Sequence, residues 1–257
     1  MYQRLKSAYK ALVPESVSRL FENPIRWLVS LPYRGNRYYC PLCQTKLNRF
    51  IVLEDGHALC PRCGSLPRTR RLWFLIEEIL EQANDRLTIL HFSPPASLRK
   101  RILKRITQNK LSVSYQTTDT AGEFTADLAI DLTDNDLPDD SFDLIICYHV
   151  LEHIEDDRKA ISELFRLLKP NGQALIQTPF LAEEGKAKEL PNITTAAQRL
   201  QHYGQEDHVR VYTVSALDER LKSAGFTTHI RKTPNGFSDD AERMQLKEVE
   251  FVIAANK

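Results

Sequence analysis

The stretch from Asp131 to Thr178, DLTDNDLPDDSFDLIICYHVLEHIEDDRKAISELFRLLKPNGQALIQT, constrains the fold of this chain more than any other. Phe142 to Tyr148 is a near-continuous apolar run, the pattern of a strand covered on both faces. Asp139-Asp140-Ser141 supplies a polar turn before it. From Glu155 to Leu168 the period changes, and Ile161, Leu164, Phe165 and Leu168 fall on one face of a predicted helix. Lys169-Pro170-Asn171-Gly172 ends that helix, with a cation near its C-terminus and Pro and Gly beyond, and Gln173 to Thr178 reads as the next strand. Strand, helix and strand joined by short turns form a crossover unit of a parallel sheet.

The flanking sequence repeats the alternation. Arg86 to Phe92 reads as a first strand, Ala96 to Gln108 as a basic helix, Leu111 to Thr117 as a second strand and Asp127 to Asp131 as a third. After the central unit come a helix over Thr213 to Ala224 and strands over Phe226 to Arg231 and Val249 to Ala254. The expected architecture is a doubly wound, mostly parallel, seven-stranded α/β sheet. Ligands of such sheets bind outside the carboxyl ends of the strands.

The motif S-F-D-L-I-I-C-Y-H-V-L-E-H-I followed by L-K-P-N-G resembles the S-adenosylmethionine-dependent class I methyltransferases, Rossmann-like enzymes whose acceptors in this group are mostly small molecules. D-x-x-L-K-S-A-G-F from Asp218 to Phe226 resembles the family's approach to a last, antiparallel strand. The resemblance covers roughly Thr88 to the C-terminus. It implies S-adenosylmethionine as cofactor, with Asp119 on the ribose hydroxyls, Asp131 and Leu132 at the adenine, and Tyr148 and His149 beneath the adenosine and the methyl donor. The first turn, His91-Phe92-Ser93-Pro94-Pro95-Ala96, departs from the family's glycine-rich pattern, and no glycine occurs between Gly64 and Gly122. Ser93 is expected to cap the following helix, with Pro94 in its first turn, so that the helix N-terminus faces the methionine carboxylate. L-H-F-x-P at this point resembles a subset of the family that carries a zinc ribbon in front, so His91, Phe92 and Ser93 are assigned to the cofactor.

Methyl transfer is an in-line displacement, and a base is needed only where the acceptor must lose a proton. His149, His153 and His208 are the candidates, with ordinary pKa values near neutrality. The long insertion from Phe180 to Tyr212 ends in Y-G-Q-E-D-H-V-R-V-Y, which resembles the G-Q-x-D-H-V-R-x-Y signature of the zinc-ribbon subset. Alternation puts His208 and Arg210 on one face of an extended segment. His208 is expected to act as base or acceptor ligand and Arg210 as an anion clamp, the alternative being a lid held by internal salt bridges.

Ahead of the sheet, Cys40-Pro41-Leu42-Cys43 and Cys60-Pro61-Arg62-Cys63 have the spacing of two knuckles on one tetrahedral zinc. Four sulfur ligands leave no open position, so this zinc is expected to be structural. A redox dithiol is the alternative. Phe50 to Leu53 and His57 to Leu59 read as short strands around Glu54-Asp55-Gly56. Tyr2 to Ala11 and Glu15 to Ser30 read as helices, the second bearing an apolar stripe that either packs on the protein or lies on a membrane surface. An amphipathic helix over Thr69 to Ala83 leads into the sheet. The expected divisions are residues 1–36, a zinc ribbon at 37–68 and the large domain at 69–257.

Through Leu72 there are thirteen Lys and Arg against four Asp and Glu, and beyond it twenty-two against thirty. Such a basic front suits an anionic partner. No apolar stretch reaches the roughly 20 residues of a membrane-spanning helix, and the first twenty residues lack a secretory pattern, so a cytoplasmic setting is expected. The reading is a methyltransferase acting on a small or phosphorylated acceptor. An RNA methyltransferase holding RNA through the front arginines, and a non-catalytic assembly protein of the same fold, are the alternatives.

Overall fold

The computed structural model describes residues 24–83, 86–119, 126–233, 241–246 and 250–257. The chain divides into two compact units, Met1–Glu77 with Phe237–Lys247, and Glu78–Gly236 with Glu248–Lys257. The stretch at 237–247 thus belongs to the first unit, although by sequence it falls within the large domain.

In the first unit, β1 (Arg34–Cys40) pairs antiparallel with β2 (Thr45–Leu47), and β3 (Ile51–Val52) with β4 (Ala58–Leu59). The two cysteine pairs sit in matching turns. Gln44 and Gly64, each directly after the second cysteine of its pair, are left-handed at φ 57° and 73°. Their N–H groups donate to the carbonyls of Cys40 and Cys60 at 2.8 and 2.9 Å. The helix expected over Tyr2 to Ala11 lies outside the described residues, and the one expected from Glu15 is described only from residue 24, where the chain is helical to residue 30. A long helix, α1 (Pro67–Gln82), follows the second cysteine pair and runs past the division at Glu77.

Arg70 on α1 organises this small core. Its guanidinium is fully buried and donates to the carbonyls of Ser65 at 2.7 Å, Ala58 at 3.0 Å and Met244 at 2.9 Å, with its carbon 4.5 Å from the centre of the Phe50 ring. Arg71 is buried too. Of the remaining front arginines, Arg34 lies over Trp27, Arg37 over Tyr38 and Arg49 over Tyr33.

The second unit holds one six-stranded sheet, β6-β5-β7-β8-β10-β9, built from β5 (Leu87–Phe92), β6 (Val113–Thr118), β7 (Phe142–Tyr148), β8 (Leu168–Gln177), β9 (Thr227–Thr233) and β10 (Glu250–Asn256). The first four are parallel, and β10 runs antiparallel to both neighbours. Helices α2 (Ala96–Asn109), α3 (Asp157–Leu167), α4 (Ala196–Tyr203) and α5 (Val214–Ser223) complete it. Leu164, Leu167, Leu217 and Leu221 of α3 and α5 join Leu90, Ile145, Cys147, Ile176 and Ile253 of the sheet in one apolar cluster. Fully burying such a side chain is worth about 1.5–3 kcal/mol, so the apolar run at 142–147 holds the centre of the unit.

The expected seventh strand does not form. Asp127 to Asp131 contributes to the sheet only the isolated bridge between Thr118 and Leu128, and Asp131 bridges locally to Asp134. The N–H groups of Asp127 and Leu128 converge on the Thr117 carbonyl, each at 3.0 Å, which breaks the alternation a ladder requires. The Asp127 carboxylate accepts from the Thr117 N–H at 3.0 Å and its hydroxyl at 2.7 Å, fastening the segment to β6 through a side chain instead.

His91 lies in β5 with no exposed surface, its Nδ1 2.9 Å from the Tyr115 hydroxyl. Burial pushes its pKa down to about 3, far below the unfolded value of about 6.5. Below pH ~6.5 the unfolded chain takes up a proton that the folded chain refuses, so this group's stabilisation is complete above ~6.5 and is lost as the pH falls towards 3. Unfolding titrations between pH 7 and 5 should show stability dropping by up to ~1.4 kcal/mol per pH unit from this group. His91→Gln should flatten that slope, and an unchanged slope would mean the ring is protonated in the folded protein.

Candidate active site

The chain leaves β5 towards β6 on one side and returns to β7 on the other, so the crevice between the carboxyl ends of β5 and β7 is the topological switch point of the sheet. Both strands end there in strained backbone. Ser93, directly after β5, has φ 46°, and His149, directly after β7, has φ 56°. Non-glycine residues rarely occupy this region, and where they do the surroundings hold them.

Ser93 is held by a bond from its N–H to the Thr118 carbonyl at 2.7 Å, while its hydroxyl donates to Asp119 Oδ1 at 2.9 Å. It therefore does not cap α2. The residue at the N-cap is Pro95, which offers no side-chain acceptor, and its carbonyl receives the N–H groups of Leu98 and Arg99. The structure brings the first turn and Asp119 together, with Asp119 largely buried and its own N–H on the Leu128 carbonyl at 3.1 Å. The structure places His91 against Tyr115 and Phe92 within the apolar cluster. Leu132 belongs to that cluster as well, whereas Asp131 is exposed and takes the N–H and hydroxyl of Thr133, which hold its carboxyl below the usual range.

Past Tyr148, which is buried, the His149 N–H donates to the Gln177 carbonyl at 2.9 Å and continues the β7–β8 ladder. The backbone then enters a 3-10 turn, Leu151–His153. His149 Nδ1 lies 3.1 Å from Glu152 Oε1, leaving Nε2 buried with no hydrogen-bond partner among the described residues. Glu152 is 1% exposed, and its Oε2 likewise has none. Its signal was the three-residue spacing from His149, which brings two side chains to one side of a tight turn.

The insertion docks on this same turn. Val209 N–H donates to the Glu152 carbonyl at 2.9 Å, and the His153 and His208 rings meet edge to face at 4.8 Å between centres. His153 Nδ1 is 3.0 Å from Asp207 Oδ2, and His208 Nδ1 is 3.3 Å from the Tyr203 carbonyl. Burial holds the His208 pKa below its ordinary value. All three histidines expected as bases therefore gather around Glu152. Arg210 has a different role from the one expected. Its guanidinium is buried and bonded to Glu189 and to the carbonyls of Leu151, Ile154 and Glu155. Asp157, bonded to Tyr212 and Arg220, completes the clamp.

In the first unit the four cysteine sulfurs lie within 4.8 Å of one another, with Cys40 and Cys63 3.7 Å apart and Cys43 and Cys60 3.7 Å apart. Ser65 Oγ stands 3.3 Å from both Cys40 and Cys63, a hydroxyl placed to support thiolates.

A family model described as a methyltransferase domain matches residues 75–229. A probable S-adenosylmethionine-dependent methyltransferase of Mycolicibacterium smegmatis is 32% identical over 90 residues, covering 35% of this chain and 30% of the relative. The uncharacterized methyltransferase YcgJ of Bacillus subtilis is 36% identical over 78 residues, 30% of this chain and 28% of its own. The chain thus spans less than a third of the curated relatives it matches. Among solved structures, the [4+2]-cyclase SpnF superposes with a TM-score of 0.50 at 15% identity, covering 94% of this chain and 95% of that one. The CurJ carbon methyltransferase does so at 0.50 and 15%, over 73% and 53%. Both share the fold with this chain. With more than half its length matched by the family model and its sheet in the corresponding arrangement, the chain belongs to the methyltransferase-domain family.

Proposed function

We propose that the protein transfers a methyl group from S-adenosylmethionine to a small-molecule acceptor that gives up a proton, with His149 as the base. The observation that carries this reading is the His149–Glu152 pair at the switch point. A carboxylate on Nδ1 fixes the ring and its tautomer, leaves the Nε2 lone pair for the acceptor's proton and stabilises the imidazolium that forms. Glu152 is a positioning residue and touches neither substrate in this scheme.

The residues present fit the cofactor. S-Adenosylmethionine supplies an electrophilic sulfonium methyl group. Asp119, steadied by Ser93, would accept from the ribose hydroxyls, and Asp131 is exposed for the adenine amino group. His149 Nε2 and Gln177 Oε1, at the ends of β7 and β8, are buried without partners among the described residues, as polar groups lining a ligand crevice are until it fills. A phosphorylated acceptor loses its main support with Arg210 engaged internally.

The four cysteines are proposed to hold one structural zinc, each turn presenting two thiolates. A mercurial that titrates thiolates should release one zinc per chain from the fresh protein and loosen the first unit. Release of none would remove the metal from this module.

Calorimetry on the full chain should show binding of S-adenosylmethionine and S-adenosylhomocysteine, weakened about tenfold or more in Asp119→Ala with the fold intact. No binding to the wild-type protein would sink the enzymatic reading. With the low-mass fraction of a cell extract as acceptor, ribonuclease-treated, S-adenosylhomocysteine should form, and His149→Ala should cut its rate by about 10²–10⁴ while cofactor affinity stays within a few fold. Glu152→Gln should move the acid limb of the pH–rate profile, which a merely structural residue would leave in place. Formation only with an RNA fraction would transfer the function to RNA.

A further inference from the structure

We propose that Glu152, His153 and His208 form a second metal site, distinct from the four cysteines, for a divalent transition ion of the zinc class. One ligand-type atom from each of the three residues lies within 4.8 Å of one from each of the others. Bonds of about 2.0–2.2 Å in a tetrahedron put donor atoms roughly 3.4 Å apart, so a modest rotation of the side chains closes the set. Two imidazoles and one carboxylate favour a zinc-like ion over magnesium or calcium, which prefer all-oxygen sites.

The supporting shell is already built. A histidine ligand ordinarily donates its other ring N–H to a carboxylate or a carbonyl, which directs its lone pair at the metal. Here His153 Nδ1 faces Asp207 Oδ2 at 3.0 Å and His208 Nδ1 faces the Tyr203 carbonyl at 3.3 Å, so in each ring Nε2 is the nitrogen left for an ion. The carboxylate follows the same rule. Glu152 Oε1 is taken by His149, while Oε2, on a side chain 1% exposed, has no partner among the described residues. An unpaired carboxylate oxygen in such a place costs free energy unless a cation satisfies it.

The three ligands come from two separate stretches, and what joins them is specific. Val209 N–H is bonded to the Glu152 carbonyl, so His208 is carried to the turn by its neighbour's backbone. Three protein ligands leave a fourth position open. His153 is only partly buried, its side chain 32% exposed, which gives an ion and an oxygen-bearing acceptor a way in. An enol or phenol oxygen bound there would lose its proton more readily and sit near His149, whose carboxylate partner is itself a metal ligand.

The test uses the full chain with its cysteine zinc in place, after dialysis against a mild chelator, titrated with Co(II). One equivalent should bind with ligand-field absorption lacking sulfur-to-cobalt charge transfer, which excludes the cysteines. Glu152→Gln and His208→Asn should each weaken that binding at least ~10-fold, with circular dichroism reporting the fold. If either variant fails to fold, His153→Gln, at a partly exposed position, carries the same expectation. Absence of a second equivalent in the wild-type protein, charge-transfer bands with it, or unaltered binding in the folded variants would overturn the site. Binding is read without turnover, so loss of this site and loss of the methyltransferase reading are separate outcomes.

Discussion

After β7 the Leu151 carbonyl takes only the Ile154 N–H at 3.3 Å, and the carbonyls of Ile154 and Glu155 lie beyond the turn; the Arg210 guanidinium meets all three. A 3-10 turn of three residues cannot satisfy its own ends. The arginine does so from a segment 55 residues or more away in sequence, and its remaining edge is held by Glu189. A buried cation with one carboxylate and three carbonyls is well compensated, whereas any of those carbonyls left alone would cost about 1–3 kcal/mol. Together with the Val209 N–H on the Glu152 carbonyl, this contact ties the insertion to the turn after β7. It pins the insertion to the sheet, brings His208 against His153, and closes the side of the turn on which Glu152 holds His149.

Much of the sheet was legible because both of its signals are local. Phe142 to Tyr148 forms the predicted strand residue for residue, and the helices on either side begin and end within a few positions of their expected bounds. What escaped was decided by partners far away in sequence. Asp127 has the look of a strand residue, but its carboxylate bonds Thr117 and the ladder stops. Arg210 has the alternation of an anion ligand, yet three of its four acceptors are backbone carbonyls that no composition reveals. His91 matched a motif at a strand end, but the pleat turned its ring into the interior beside Tyr115.

The glycine-free first turn shows how a site can keep a backbone shape while changing the residue that makes it. Ser93 adopts the left-handed conformation for which glycine is usual, at a penalty of about 1–2 kcal/mol. It returns part of that by bonding Thr118 and Asp119. His149 repeats the arrangement across the switch point. Two strained residues facing one crevice, each fixed by the strand beside it, form a rigid rim around which little needs to move when a ligand arrives.

Arg70 reaches 174 residues along the chain to the carbonyl of Met244. The cysteine turns come from residues 40–63, but the unit they belong to also takes in residues 241–246. Until the segment around Met244 has been made, the central guanidinium of the first unit is short of one acceptor, so a change in that late segment is felt beside the cysteine turns.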